Sequence, residues 1–431
     1  MGLPVCVPSP ENGICLRFEL FRVRNNCRTR IFLFFFGNPD RFCQGFVLRW
    51  WYRAGTEQAP ALLPGMKNQK GTEKMNQKEK TLFIELCRFR NPDRRRLERL
   101  LRGGSATPAV LGMLFANRMA GVACRTLTDT GLLSLVDREF RNAISGAATL
   151  NRRRNQDYFG SLRYLSGELD ACGVPYALLK GAYLCGWYPE GCRTSNDADV
   201  LVAPEDVGKI SARLRLAGFR QGYLRDGKFV PASRGEIIES KMTRGETVPF
   251  IRETRLAYLP YLEVDLNFSL DYRNSDADAL RGMLAAGERR RFGNTTVRTL
   301  NPQDFILHLC AHLYKEATTL PWVRMKRDMT FYKYADLYAL LTDLPENERA
   351  ALAERAAQLG IRTEMIYCFC SVDAFYGTGY AADLHPTEAE IMALCGVVAP
   401  AEKKQYRYSE PDPVVRFFAP DRMKLLQEAE T

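Results

Sequence analysis

The sequence predicts an α+β protein: a small mixed-sheet core flanked by helical regions on its N-terminal and C-terminal sides. Three observations carry this. Residues 76 to about 172 read as helices, with short breaks at Gly103-Gly104 and Thr107-Pro108. Between residues 173 and 300, short apolar or alternating runs, the signature of strands, are interleaved with helix-like stretches. From Asn301-Pro302 onward helical spacing returns and continues to about residue 397.

The first 74 residues stand apart. They hold Cys6, Cys15, Cys27 and Cys43, the run Ile31-Phe32-Leu33-Phe34-Phe35-Phe36, and Trp50-Trp51 among many arginines. Six apolar residues are too few to span a bilayer, and no small-residue cleavage site is placed as in a secretory signal. The segment lacks periodicity, whereas Met75-Asn76-Gln77-Lys78-Glu79-Lys80 leads into helix-like sequence. Residues 1–74 are therefore expected to be a poorly structured or spurious extension, with the native start near Met66 or Met75. Residues 75–172 are the expected helical N-terminal region. Their Arg94-Arg95-Arg96 and Arg152-Arg153-Arg154 runs read as solvated helix faces, because isolated triplets without nearby stacking aromatics are weak evidence for nucleic acid.

The expected core spans 173–300. Val174 to Leu179 is a short apolar run suited to a buried strand. Gly181 follows, then a short helix-like stretch to Trp187-Tyr188, a Pro189-Glu190-Gly191 turn, and a second strand from Asp197 to Val202. Pro204 with Glu205 and Asp206 marks a helix start. Val207, Ile210, Leu214 and Ala217 keep helical spacing, and Gly218 stops it. Residues 222–256, polar and broken by glycine, carry no assignable pattern. Leu262 to Phe268 alternates apolar and polar residues with period two, a strand with one polar face. In the expected helical C-terminal domain, 301–400, Leu307, Cys310, Leu313 and Tyr314 form one apolar helix face. Residues 401–431 are polar and interrupted by proline, and are expected to be a polar tail.

Bulk composition excludes some classes. The chain has 431 residues, 46% hydrophobic and 26% charged, enough for a real core. Its net charge is +11, but residues 1–74 hold 11 Lys/Arg against 5 Asp/Glu, so more than half of the excess lies there. Nucleic-acid binding is therefore not predicted from charge. The 13 cysteines include no Cys-x-x-Cys pair, and the expected state is reduced thiols in a cytoplasm, with no membrane span. The two commonest phosphate cradles, Gly-x4-Gly-Lys-Ser/Thr and Gly-x-Gly-x-x-Gly, are absent.

The most informative stretch is Asn196-Asp197-Ala198-Asp199-Val200-Leu201-Val202, a short distance after Leu178-Leu179-Lys180-Gly181. Residues i and i+2 of a strand share a face, so Asp197 and Asp199 would stand side by side. Two like charges there cost free energy unless a cation sits between them. Hard oxygen ligands in that arrangement suit Mg²⁺, which binds through one or two carboxylates plus substrate phosphates.

This order, with Arg193 before the aspartates and Ala217-Gly218-Phe219 after them, resembles the polymerase beta-like nucleotidyltransferase superfamily, and more closely a bacterial family of uncharacterised nucleotidyltransferases. The later Asn301-Pro302-x2-Phe305-x2-His308-Leu309-Cys310-x-His312 helix is similar to that family's C-terminal half. The resemblance implies a transferase that moves an NMP group from an NTP to an acceptor and releases pyrophosphate. It implies that Asp197, Asp199 and a third carboxylate, Asp265 with Glu263 as the fallback, hold one or two Mg²⁺ ions, with the third taking the proton of the attacking hydroxyl. It implies that the backbone at Gly181 and Ala182 approaches the triphosphate, with Lys180 and Arg193 supplying positive charge. Ser195 is assigned to the same nucleotide-binding set, although shaping the turn is its plainer role. The superfamily has Gly-Ser or Gly-Gly where this chain has Gly181-Ala182, so one possible phosphate contact is missing. The acceptor, whether protein, small molecule or RNA, is not legible. A non-catalytic nucleotide-binding adaptor that kept the fold is the alternative.

Two further groups have weaker claims. His308, His312 and Glu316 follow at intervals of four on one helix, a spacing that could ligate zinc, yet packing is the better reading because no His-Glu-x-x-His signature is present. Arg324, Lys326 and Arg327 beside Trp322 could guide an acceptor, or form a charged helix face.

Overall fold

The computed structural model describes residues 23–25, 28–30, 75–243, 245–270, 277–382 and 384–429. The chain divides into two units, Met1–Lys74 and Met75–Thr431. In the first, β1 (Val23–Asn25) and β2 (Arg28–Arg30) form an antiparallel pair with Val23 opposite Arg30. The Phe-rich run, the four early cysteines and the suggested start at Met66 lie outside the described residues.

The second unit opens with five helices, four of them begun by a side-chain cap. Asn76 and Glu79 form a reciprocal capping box on α1 (Gln77–Leu86). Asp93 caps α2 (Arg94–Arg102), and Thr107 with Pro108 starts α3 (Pro108–Ala116). After α4 (Ala120–Asp129), Asp137 caps α5 (Arg138–Asp170). At 33 residues, α5 is about 50 Å long. It lies along one face of the core.

That core is a six-stranded sheet in the order β3-β4-β8-β7-β5-β6. The strands are β3 (Tyr176–Leu178), β4 (Asp197–Val202), β5 (Arg220–Arg225), β6 (Lys228–Pro231), β7 (Phe250–Glu253) and β8 (Tyr261–Asn267). Only β4 and β8 run parallel; the other pairs are antiparallel, which makes the sheet mixed. Around it lie α6 (Gly181–Trp187), α7 (Val207–Leu216), α8 (Arg234–Thr243) and α9 (Ala277–Ala285). A hairpin of β9 (Glu288–Phe292) and β10 (Thr295–Thr299) packs against α5 and β3. The stretch 222–256, which had no assignable pattern, thus holds β6, α8, β7 and most of β5. Their apolar residues are too few and too scattered to show a period.

Strand alternation sorts the central residues. Ala198, Val200 and Val202 of β4, with Leu262, Val264 and Leu266 of β8, pack under Tyr158, Leu162 and Leu165 of α5 and Ile210 and Leu214 of α7. The odd-numbered residues Asp197, Asp199, Glu263 and Asp265 therefore share the opposite face. Leu201, on that face, joins the larger apolar cluster formed with the C-terminal helices.

The remaining helices are α10 (Pro302–Ala317), α11 (Leu320–Arg324), α12 (Phe331–Asp343), α13 (Glu346–Ala350), α14 (Leu352–Gln358), α15 (Arg362–Tyr376) and α16 (Glu388–Ala393). Asn301 caps α10, and the expected face of Leu307, Cys310 and Leu313 is buried. Residues 401–429, expected as a polar tail, are folded. β11 (Gly396–Ala399), β12 (Lys404–Tyr408) and β13 (Leu426–Glu428) form an antiparallel sheet, and α17 (Pro413–Phe418) intervenes. Phe417 packs on Phe83, Phe331 and Phe375, and Arg422 grips the buried Asp328 at 2.6 and 2.7 Å. Charged neighbours mask these few anchoring residues in the composition. Among the described residues, no helix is long and apolar enough to cross a membrane.

Candidate active site

Register, not proximity in sequence, assembles the site. Parallel pairing sets Asp199 opposite Asp265 and Asp197 opposite Glu263. Glu246 bridges antiparallel to Asn267, which places a further carboxylate on the same face. Asn267 Nδ2 donates to the Asp265 carbonyl at 3.2 Å and reaches Asp199 Oδ1 at 3.5 Å. Lys180 is the cation of this cluster, with Nζ 2.6 Å from Asp199 Oδ1. Its backbone has φ 46° and ψ −119°, at the strand-to-helix corner between β3 and α6. Such a conformation is strained for a residue with a Cβ and persists where the surroundings hold it.

The turn before β4 is held from two sides. Ser195 Oγ donates to Asp197 Oδ1 at 2.5 Å, and Tyr158 donates its hydroxyl to the Asp197 carbonyl at 2.6 Å. Asn155 Nδ2 donates to the Arg193 carbonyl at 2.9 Å. The Arg193 guanidinium meets Asp336 at 3.2 Å, donates to the Thr194 carbonyl at 2.6 Å, and lies 4.3 Å from the Tyr332 ring centre.

The electrostatics follow from burial and crowding. Burial raises the Asp197 carboxyl, but the hydrogen bond from Ser195 and the charge of Lys180 outweigh it and hold the group below its ordinary value. Burial, with Asp197 as like-charged neighbour, lifts Asp199 despite Lys180. Asp265 is pushed well up by burial and then by Asp199 and Asp197. Burial alone would lower the Lys180 ammonium, but Asp199 more than compensates. Like-charged neighbours help to raise both Asp199 and Asp265; a divalent cation would relieve that repulsion, and their hard oxygens suit Mg²⁺. Among the described residues no three His, Cys, Asp or Glu side chains already converge as a metal cage; Lys180 sits on the carboxylate that a cation would share.

A cavity beside this face is lined by Lys180, Arg193, His312, Tyr332, Lys333 and Asp336, with Leu184, Leu309 and Leu313 as its apolar wall. His312 Nε2 is 3.1 Å from Glu316 Oε1, and the Lys333 ammonium pairs with the other Glu316 oxygen. Burial, with Lys180, Arg118 and Arg193 as like-charged neighbours, pushes the Lys333 amine well below its ordinary value. His308 is buried on the same helix. Arg324 pairs with Glu402 at 2.7 Å and Arg327 lies over Trp322, as a charged surface does.

The sequence-derived set divides accordingly. Asp197, Asp199, Glu263 and Asp265 share one face of the sheet, with Lys180 paired to Asp199 and Ser195 bonded to Asp197. Ala182 does not belong: its side chain is fully buried in the core and its N–H donates to the Leu179 carbonyl, leaving nothing to offer a phosphate. Gly181 has a packing reason, since a methyl group there would lie 2.3 Å from Ser195 Oγ. Sequence reasoning missed Tyr158, Asn155, Glu246, Tyr332, Lys333 and Asp336. The only trace of the first two is a pair of polar-tipped residues three apart on the inner face of α5.

Fold and site together define an α+β protein whose sheet presents carboxylates on one face beside a cavity lined by basic and acidic side chains. The chain belongs to a family described as uncharacterised nucleotidyltransferases, whose model matches residues 105–377, well over half of its length. Membership gives the general class of activity, nucleotidyl transfer. Among solved structures, the chain is similar to an antigenic nucleotidyltransferase-like protein from Paracoccidioides brasiliensis. That match has 13% identity and a TM-score of 0.28, over 47% of this chain and 88% of that one. It is also similar to the antibiotic-resistance factor ANT(2'')-Ia, with 13% identity and a TM-score of 0.26, over 48% of this chain and 95% of that one. No curated protein sequence matches the chain.

Proposed function

We propose that the protein catalyses Mg²⁺-dependent transfer of a nucleoside monophosphate from an NTP to an acceptor hydroxyl or similar group, with release of pyrophosphate. The observation that carries this reading is the register that sets Asp265 of β8 against Asp199 of β4, with Asp197 on the same face. Asp197, Asp199 and Asp265 would hold the metal, which when bound neutralises the charge that builds up on the phosphates during an in-line displacement. Lys180, on the cavity side, would face the triphosphate. Ser195 orients the Asp197 carboxylate through its hydrogen bond. Asp265, as third carboxylate, is the candidate base for the acceptor hydroxyl. The protein's share of catalysis is then positioning and charge stabilisation.

The test is incubation of the purified protein with labelled NTPs, Mg²⁺ and cell lysate, reading which molecule becomes labelled and whether pyrophosphate appears. An Asp197→Asn/Asp199→Asn double variant should fold and transfer nothing. Full activity in that variant would refute the mechanism. Nucleotide binding without turnover across a broad acceptor panel would favour the adaptor reading instead.

A further inference from the structure

We propose that Asp336, on α12 of the C-terminal helices, acts through Arg193 as a positioning residue for Asp197, so that cation affinity at the sheet is set from the helical domain. The proposal rests on the functional reading above. The sequence suggests Arg193 as a fork for phosphate oxygens, but its side chain is only 8% exposed and its charge is satisfied internally. Nε meets both Asp336 oxygens, at 3.2 and 3.4 Å, while Nη1 donates to the Thr194 carbonyl and the guanidinium covers the Tyr332 ring. Arg193 is thereby anchored to an element 143 residues away in sequence.

From Arg193 the restraint runs along a short turn. The Arg193 carbonyl accepts from Asn155 on α5, and the Thr194 carbonyl accepts from the guanidinium itself. Ser195 comes next, wedged against Gly181, with its hydroxyl on Asp197 Oδ1. The turn has almost no freedom to rotate Ser195 away, so the plane of the Asp197 carboxylate is set by contacts on both α5 and α12. An apolar pair could fill the space of Arg193 and Asp336 equally well, because a buried ion pair is weak evidence for stability. Directional hydrogen bonds that fix a ligand's orientation are what such a pair adds, as outer partners do in metal sites generally.

The experiment titrates the full chain with Mn²⁺, a spectroscopically visible stand-in for Mg²⁺, by paramagnetic resonance and by calorimetry. Wild type is compared with Asp197→Asn, Ser195→Ala, Arg193→Lys, and the apolar pair Arg193→Met/Asp336→Leu. Arg193→Lys keeps a cation for Asp336 but cannot also reach the Thr194 carbonyl in a fork. It and the apolar pair should each weaken Mn²⁺ binding by about tenfold or more while melting cooperatively. Adding Ser195→Ala to Arg193→Lys should cost little more, since both act along one path. A merely structural role predicts additive losses. If Arg193→Lys and the apolar pair bind Mn²⁺ as wild type does, while Asp197→Asn loses it, the positioning proposal is overturned and the functional reading stands. If wild type binds Mn²⁺ no better than Asp197→Asn, the functional reading fails and this proposal falls with it. If the apolar pair does not fold, Arg193→Lys decides alone.

Discussion

Replacing Gly181 by alanine sets two physical effects against each other, and the sign of the result tells which one governs. Gly181 opens α6, and alanine is the better helix former by up to about 1 kcal/mol. Propensity alone therefore predicts a more stable protein. Packing predicts the reverse. The added methyl would lie 2.3 Å from Ser195 Oγ and 2.4 Å from Ser195 Cβ, far inside van der Waals contact. Ser195 cannot yield cheaply, because its Cβ is fixed to the turn and its hydroxyl is bonded to Asp197 at 2.5 Å. Overpacking of this kind costs ~1–3 kcal/mol; two contacts this short put Gly181→Ala at the upper end, so a net loss of ~2 kcal/mol is expected once the propensity gain is subtracted. Urea denaturation reads this as a lower midpoint at unchanged slope. Adding Ser195→Gly removes the obstructing side chain and should restore most of the loss, a coupling that distant sites do not show. A neutral or stabilised Gly181→Ala protein would refute the packing account and return Gly181 to the role its sequence position suggests, backbone approach to phosphate.

Three further outcomes are expected. Asp197→Asn/Asp199→Asn abolishes nucleotidyl transfer while circular dichroism remains that of the wild type, because the substitutions are isosteric and remove repulsion. Arg422→Met leaves the fully buried Asp328 without its guanidinium and should cost ~3–5 kcal/mol, with the last thirty residues becoming the first site of limited proteolysis. Burial, with the charges of Lys180 and His312, holds the imidazole of His308 well below its ordinary value. The unfolded chain therefore binds a proton there that the folded protein refuses, and stability falls as pH drops below about 6.5, by up to ~1.4 kcal/mol per pH unit for this group. His308→Leu should flatten the acid limb of a stability–pH curve measured by urea denaturation; an unchanged limb would show that His308 takes up its proton without unfolding.

The local grammar of this chain was readable because its signals are short-range. Asn301-Pro302 starts a helix and Gly218 ends one, since caps act within one turn. Asp197 and Asp199 share a face because strand geometry has period two, whatever the strand pairs with. The apolar face of Leu307, Cys310 and Leu313 follows from helical spacing in the same way. Harder to read were β5, β6 and β7, where polar residues and glycine leave no period, and α17, which docks through Phe417 and its neighbour among charged residues.

By itself, then, the sequence determined which side chains stand together on each element, including the two aspartates and the lysine just upstream of them. Only the tertiary structure decided what those elements face. The parallel register of β4 on β8 chose Asp265 as the partner of Asp199, and an isolated bridge brought Glu246 to the same face. Arg193 changed from a phosphate fork to one half of a buried pair because Asp336 reaches it from α12. Ala182 left the site because the first turn of α6 points it into the core. The physical reason is the same each time: periodicity is a property of neighbours along the chain, whereas pairing, burial and charge balance depend on residues far apart that meet only when the whole unit folds.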